Sequence, residues 1–365
     1  MARDPGGAEA HHEPEPMMHR AARIEDALHA FREKRARGRG VPPTVVPFRG
    51  YGGDGWIRVL GCVLLARPRK RDEGRVRSRS IRGWRSFTSV PVNEVDVTIT
   101  AGGSEFRVTS DRGGVVDIRL EVRLPFGWNT ITLRTDDSLT VEAAIYVVDP
   151  AVRFGILSDI DDTVMVTALP RPLLAAWNTF VLDEHARRPV PGMAVLYERL
   201  LRAHEGAPVI YLSTGAWNVA PTLTRFLTRN LYPAGAMLLT DWGPTRDRLF
   251  RSGRLHKHDS LERLAGEFPD ITWLLVGDDG QHDEELYGEF SRKHETNVAA
   301  VCIRQLSTGE AVFAGGRSTV DERGSGTDVT WLYAPDGAGL SDQLAEIGLL
   351  PRYDGPSSDS NSDLQ

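Results

Sequence analysis

Between residues 44 and 148 the chain reads as short runs in which apolar and polar side chains tend to alternate. Trp56–Leu65, Val92–Thr100, Val115–Leu124, Asn129–Thr135 and Leu139–Val148 are rich in Val, Ile and Thr, side chains that suit a pleated, half-buried surface. Gly102-Gly103, Asp111-Arg112-Gly113-Gly114 and Asp136-Asp137 punctuate them. Short strands separated by turn residues predict a β-sandwich over 44–149. After Asp149-Pro150 the texture changes. Nearly continuous apolar runs occur at 152–158, 208–213, 236–240, 272–277 and 298–303. Helical stretches lie between them: one opens at Pro191 and is stopped by Gly206, one runs from Pro221 to Asn230, and one spans Ser260–Glu267 ahead of Pro269. Pro at a helix start and Gly or Asn past its end is the expected asymmetry. Strands that are apolar throughout, alternating with helices, predict a parallel α/β sheet covered on both faces over 150–320. In such sheets ligands sit beyond the carboxyl ends of the strands.

The two ends read differently. Residues 1–18 are rich in Pro, Glu and His, a composition expected to stay disordered, and 21–36 carry Ile24, Leu28 and Phe31 at helical spacing before Pro42-Pro43 breaks the pattern. The segment 1–43 is thus expected to be disordered or helical. Residues 321–365 read as a C-terminal extension whose tail is Ser- and Asp-rich. With 365 residues, 41% apolar and 26% charged, the chain has room for two cores. No run approaches the roughly 20 apolar residues of a membrane span, and no signal-peptide core opens the chain; the expected location is cytoplasmic. Cys62 and Cys302 lie in apolar runs far apart in sequence and read as buried thiols. The net charge of −6 hides a strong asymmetry, because Arg67–Arg85 holds nine basic residues against Asp72 and Glu73. Such a loop is either a solvated connection or a contact for an anionic partner. No aromatic-interleaved RNA motif accompanies it, which speaks against nucleic acid.

Candidate chemistry gathers where the fold rule places it. The first apolar run of the α/β part ends in Asp159-Ile160-Asp161-Asp162-Thr163, the second in Ser213-Thr214-Gly215, and the fourth in Gly277-Asp278-Asp279-Gly280-Gln281-His282-Asp283. Carboxylates meeting at strand ends repel one another unless a cation lies between them, and a hard ion such as Mg²⁺ suits oxygen ligands. Asp159 and Asp278 are the first ligand candidates. A carboxylate also attacks phosphorus to give an acyl phosphate, and Asp161, two residues on, is placed to protonate the leaving oxygen and later to deprotonate water. Ser213 and Lys257 are candidates to hold phosphoryl oxygens. Each residue taken alone has a bland reading: an acidic turn, a strand-end hydroxyl, a surface lysine. His256, His258 and His282 without nearby cysteines make a zinc site the weaker alternative.

The set resembles the haloacid dehalogenase superfamily of aspartate-nucleophile phosphatases. Its first motif matches Asp159, Asp161 and Thr163, its second Ser213, its third Lys257, and its fourth Asp278 with either Asp279 or Asp283. The stretches 158–164, 211–218, 240–243, 256–258 and 276–287 are similar to the catalytic domain of actin-patch-type phosphatidate phosphatases, including bacterial members, although Gly215-Ala216-Trp217 stands where that family often has Ser-Pro-Trp. The resemblance implies a Rossmann-like sheet and a Mg²⁺-dependent hydrolase forming an aspartyl phosphate. Its metal is held by Asp159, Asp278 and the backbone carbonyl of Asp161, and its phosphate is bound by Thr163, Ser213, Thr214 and Lys257. Asp279 and Asp283 support the site. The implied substrate is phosphatidate, with contact to an anionic membrane surface through Arg67–Arg85. A phosphatase for a soluble phosphomonoester, and a scaffold with a vestigial site, are the competing readings.

Overall fold

The computed structural model describes residues 42–65, 90–111, 113–136, 138–166, 187–240, 246–280, 282–313 and 327–352. The expectations for 1–41, for the arginine-rich loop and for the tail beyond 352 lie outside the described residues.

Nine strands form the N-terminal sheet: β1 (Pro43–Pro47), β2 (Gly50–Gly53), β3 (Trp56–Leu65), β4 (Val90–Pro91), β5 (Asp96–Ala101), β6 (Ser104–Thr109), β7 (Val115–Glu121), β8 (Gly127–Thr135) and β9 (Val141–Val147). A β-sandwich was expected here; the strands are hydrogen-bonded into one network ordered β1-β3-β2-β9-β8-β5-β6, with β4 and β7 also paired to β3. The central strand β3 explains its own sequence. Ile57, Val59, Val63 and Leu65 enter a core shared with β5, β7, β8 and β9. Trp56, Leu60, Cys62 and Leu64 point the other way, into the core of the α/β part. A strand buried on both faces is apolar at nearly every position, here all but Arg58, and period-two geometry sorts its residues between the two cores.

The second sheet is parallel, with strands β10 (Phe154–Asp159), β13 (Val209–Ala216), β14 (Ala236–Thr240), β15 (Thr272–Asp278), β16 (Val298–Arg304) and β17 (Trp331–Ala334). A short antiparallel pair, β11 (Met165–Val166) and β12 (Arg188–Pro189), lies apart from it. The order β14-β13-β10-β15-β16-β17 runs outward from β10 in both directions, so the winding reverses between β10 and β15. That is the switch point at which such sheets bind ligands. The helices are α1 (Met193–Ala203), α2 (Ala220–Arg229), α3 (Arg246–Glu267), α4 (Asp283–Lys293), α5 (Thr308–Phe313) and α6 (Gly337–Glu346). Helix α1 packs on α6, and α3 packs on α4. The sheet continues past residue 320: β17 pairs with β16, and Leu332, Leu340, Leu344 and Leu350 join the same core. Helix α3 is also longer than the pattern predicts, beginning at Arg246 instead of Ser260. Its first half lacks a sustained apolar stripe, so periodicity underestimates it.

The two sheets are tied through α3 and the loop after β13. Glu267 accepts hydrogen bonds from Tyr51 Oη at 2.8 Å and from Arg58 Nε at 3.0 Å, and Arg263 pairs with Asp117 at 2.9 Å. Phe48 stacks on Trp217 with ring centroids 4.8 Å apart. Trp217 is buried and serves this packing.

Candidate active site

Beyond the ends of β10 and β15, three carboxylates and one ammonium meet. Lys257 Nζ lies 2.6 Å from Asp159 Oδ1 and 2.7 Å from Asp283 Oδ1. Asp159, Asp278 and Asp283 each offer an oxygen, and these oxygens lie within 4.8 Å of one another. All four residues are at least nine-tenths buried. Two glycines make the convergence possible. A Cβ on Gly277 would stand 2.6 Å from Asp283 Oδ2 and 2.7 Å from Tyr287 Cε2, so any larger residue would push α4 and its Asp283 off β15. A Cβ on Gly253 would stand 2.9 Å from Thr214 Cγ2; the bare backbone lets α3 close onto the C-terminal end of β13. Lys257 follows one turn later on the same helix face, which turns it toward Asp159. The sequence pattern alone puts Lys257 ahead of a helix, whereas it lies within one.

Asp161 stands beside this cluster. Its Oδ2 accepts a hydrogen bond from Ser213 Oγ at 3.0 Å, and its Oδ1 is buried without a hydrogen-bond partner. Ser213 Oγ in turn accepts the Gly215 amide at 3.0 Å, so its single proton is committed to Asp161. Asp162 adopts a left-handed backbone with φ 56°, which an aspartate tolerates, and its amide bonds Met165 O at 2.8 Å. Thr163 is fully buried and its Oγ1 has no hydrogen-bond partner. Thr214 is exposed, and its carbonyl accepts Thr240 Oγ1 at 3.0 Å. Asp279 and Asp283, both candidates, occupy different positions. Asp283 joins the cluster, while Asp279 Oδ1 accepts the Leu306 amide at 2.8 Å and anchors the loop after β16. The side chain of Asp161 is not among the three clustered carboxylates.

Two arginines near the site are absent from the sequence reading. Arg187 is buried and lowers the Asp161 pKa through its charge. Arg304, at the end of β16, is buried and donates to Asp162 O at 2.7 Å. Neither lies in a recognisable motif; Arg304 abuts the apolar run 298–303, while Arg187, between Ala186 and Arg188, carries no such signal.

Burial and surplus negative charge set the electrostatics. Desolvation raises Asp159 well above the ordinary carboxylate range, and Asp283 and Asp161 add to the rise while Lys257 opposes it. Asp278 is raised for the same reason, with Asp283, Asp159 and Asp162 adding to it. Asp161 is pushed up to about 6 by burial, with Ser213, Lys257 and Arg187 pulling down. Burial alone would lower Lys257, but the facing carboxylates outweigh it and hold the ammonium protonated. One ammonium cannot balance so many buried acids, so the site has a deficit of positive charge. Oxygens on opposite sides of a Mg²⁺ ion are about 4.2 Å apart, given bonds of about 2.1 Å, so the observed spread is within reach of small side-chain rotations. The donors are all oxygen, and the cluster contains no histidine. The residues therefore fit a hard divalent cation.

Buried carboxylates and a lysine at the switch point of a parallel α/β sheet are the equipment of a phosphoryl-transfer enzyme. Residues 154–305 match the family model described as the catalytic domain of phosphatidate phosphatase APP1. That stretch holds every residue of the cluster. Phosphatidate phosphatase APP1 of Saccharomyces cerevisiae is 25% identical over 156 residues, covering 42% of this chain and 26% of that protein. An uncharacterized protein of Schizosaccharomyces pombe is 24% identical over 153 residues, covering 42% of this chain and 25% of that protein. The chain thus spans about a quarter of the length of these curated relatives. A carbohydrate acetylesterase from Xanthomonas citri, 11% identical and covering 73% of this chain and 70% of its own, superposes with a TM-score of only 0.25, too low to define a shared fold. The family match supports a phosphatase enzyme. No helix among the described residues is long and apolar enough to cross a membrane.

Proposed function

We propose that this chain is a Mg²⁺-dependent phosphomonoester hydrolase of Rossmann-like, haloacid dehalogenase type, acting on phosphatidate to release diacylglycerol and phosphate. In this reading 44–149 and 150–320 are its β-sandwich and catalytic domains, the latter prolonged by β17 and α6. The observation that carries the chemistry is the contact of Lys257 with both Asp159 and Asp283 beside Asp278. The family match supports the substrate. Asp159, Asp278 and Asp283 would hold Mg²⁺, together with the backbone carbonyl of Asp161. The bound ion would neutralise charge on the phosphoryl oxygens.

The chain's own residues do the rest. Lys257 fixes Asp159 and places a positive charge where phosphoryl oxygens gather. An Asp159 oxygen attacks phosphorus, the bond from phosphorus to the ester oxygen breaks, and an aspartyl phosphate forms. Asp161 gives its proton to the departing oxygen through the oxygen that Ser213 leaves free. The same carboxylate then takes a proton from water, which attacks phosphorus and returns Asp159 as a free carboxylate. A carboxyl group that titrates near 6 is suited to both roles near neutral pH. Thr163, Ser213 and Thr214 frame the phosphate side, and Arg67–Arg85 supplies a basic segment for an anionic lipid surface, each cation adding about 1 kcal/mol near the membrane.

The test is phosphate release from phosphatidate vesicles and from p-nitrophenyl phosphate, with and without Mg²⁺, by the parent and by Asp159→Asn. The parent is expected to need Mg²⁺ and to prefer phosphatidate, and the variant to retain less than about a thousandth of the rate. Turnover of soluble esters alone would replace phosphatidate with a soluble substrate. An active Asp159→Asn variant would end the nucleophile assignment, and no activity on a wide ester panel would favour a scaffold.

A further inference from the structure

Arg304, which is not part of the carboxylate cluster, also bonds both acidic turns of the site. Through its backbone it belongs to the turn after β15: it pairs with Asp278 in the sheet register, and its carbonyl accepts the Asp279 amide at 3.1 Å. Through its side chain it reaches the turn after β10, where Nη1 donates to the Asp162 carbonyl at 2.7 Å. The rest of the guanidinium is fixed as well. Nη2 pairs with Glu310 at 2.7 Å, and Nε donates to the Pro335 carbonyl at 3.3 Å. The residue is 4% exposed, so water has little access to replace these bonds. The carbonyl it holds belongs to Asp162, whose left-handed backbone is the bend that separates Asp161 from Thr163.

We infer that Arg304 is a positioning residue: it clamps the turn that carries Asp159 and Asp161 against the turn that carries Asp278. It thereby sets the spacing between nucleophile, general acid and cation ligands. The catalytic part of this inference rests on the phosphatase reading; the clamping part does not. A planar, always-charged fork that bonds three groups at once is poorly replaced by lysine, a point charge on a flexible stem. Glutamine retains a donor but loses the charge, and its shorter side chain cannot span the same groups.

Hydrogen exchange, Mg²⁺ calorimetry and p-nitrophenyl phosphate kinetics on Arg304→Gln and Arg304→Lys test it. In the parent, the amides of Asp162, Val164 and Met165 are bonded within the turn. In Arg304→Gln they are expected to exchange at least about tenfold faster, while the amides of β13 keep the parent rate. Mg²⁺ affinity should fall about tenfold. The value of kcat should fall roughly 10²-fold, as expected for a misplacement of about 1 Å, with KM changed by less than about threefold. Arg304→Lys should lie between the two. A variant that is merely less stable would instead exchange faster throughout and keep its KM and Mg²⁺ affinity. Parent-like exchange in 160–165 together with parent-like Mg²⁺ affinity would overturn the proposal. If Arg304→Gln does not fold, the same readouts on Arg304→Lys decide. Should the parent hydrolyse no phosphate ester, the phosphatase reading fails, but exchange and Mg²⁺ binding still decide the clamp.

Discussion

Replacing Lys257 by methionine isolates the charge at the centre of the site. Methionine keeps most of the aliphatic stem, while the ammonium that touches Asp159 at 2.6 Å and Asp283 at 2.7 Å disappears. The side chain is only 9% exposed, so solvent cannot screen what remains. Removing one partner of a buried ion pair costs about 3–5 kcal/mol, because a buried charge is left uncompensated. In the presence of a chelator at pH 7.5, Lys257→Met should therefore unfold in urea with a stability about 3–5 kcal/mol below the parent. The pH dependence has a definite sign. Asp159 and Asp278 are already raised above the ordinary carboxylate value, and loss of Lys257 raises Asp159 further. Above about pH 4 the unfolded chain releases these protons, while the folded variant retains them. The folded state then binds more protons than the unfolded one, so stability falls as pH rises. The penalty should be largest near pH 7.5 and should shrink as pH drops toward 4. A double-mutant cycle with Asp283→Asn should recover part of the loss, because one of the two stranded carboxylates is then neutral. A stability change below about 1 kcal/mol, or a penalty that grows on acidification, would refute the reasoning.

Two further outcomes follow from the same geometry. Gly277→Ala places a Cβ against Asp283 and Tyr287 and should cost about 1–3 kcal/mol through overpacking, with weaker Mg²⁺ binding by calorimetry because α4 must shift; unchanged Mg²⁺ affinity would show that α4 yields without moving Asp283. Asp283→Asn should weaken Mg²⁺ binding by at least about tenfold, while Asp279→Asn should leave it nearly unchanged and loosen the loop at Leu306; the reverse order would exchange the roles given to these two residues.

Much of the site is legible along the chain because its members sit at the ends of apolar runs. Asp159 and Asp278 close their strands, Ser213 ends the apolar part of β13, and the rule for parallel sheets places such ends together. The run Trp56–Leu65 matches β3 at both ends. Other features leave weaker traces. The strand β17 is short and the first half of α3 is largely polar, so period counting passes over them. Lys257 is identifiable from the pattern of motifs, but not its place inside a helix, which depends on Gly253 letting α3 approach Thr214.

By itself the sequence determined the change from strand-rich to alternating strand-and-helix texture at Asp149-Pro150, and the acidic ends of the apolar runs on which the proposed cation and phosphate sites rest. Those are local properties, written in side-chain period and turn residues over a few positions. Tertiary structure alone decided that Asp283 and not Asp279 joins the cluster, that Lys257 bridges two carboxylates, and that Arg304 bonds both acidic turns. Asp279 and Asp283 are four residues apart and of the same residue type. What separates them is that one turns toward the loop after β16 and the other begins a helix lying against Gly277. Such distinctions depend on which helix face meets which strand, and residues far apart in sequence fix that only once both sheets have packed.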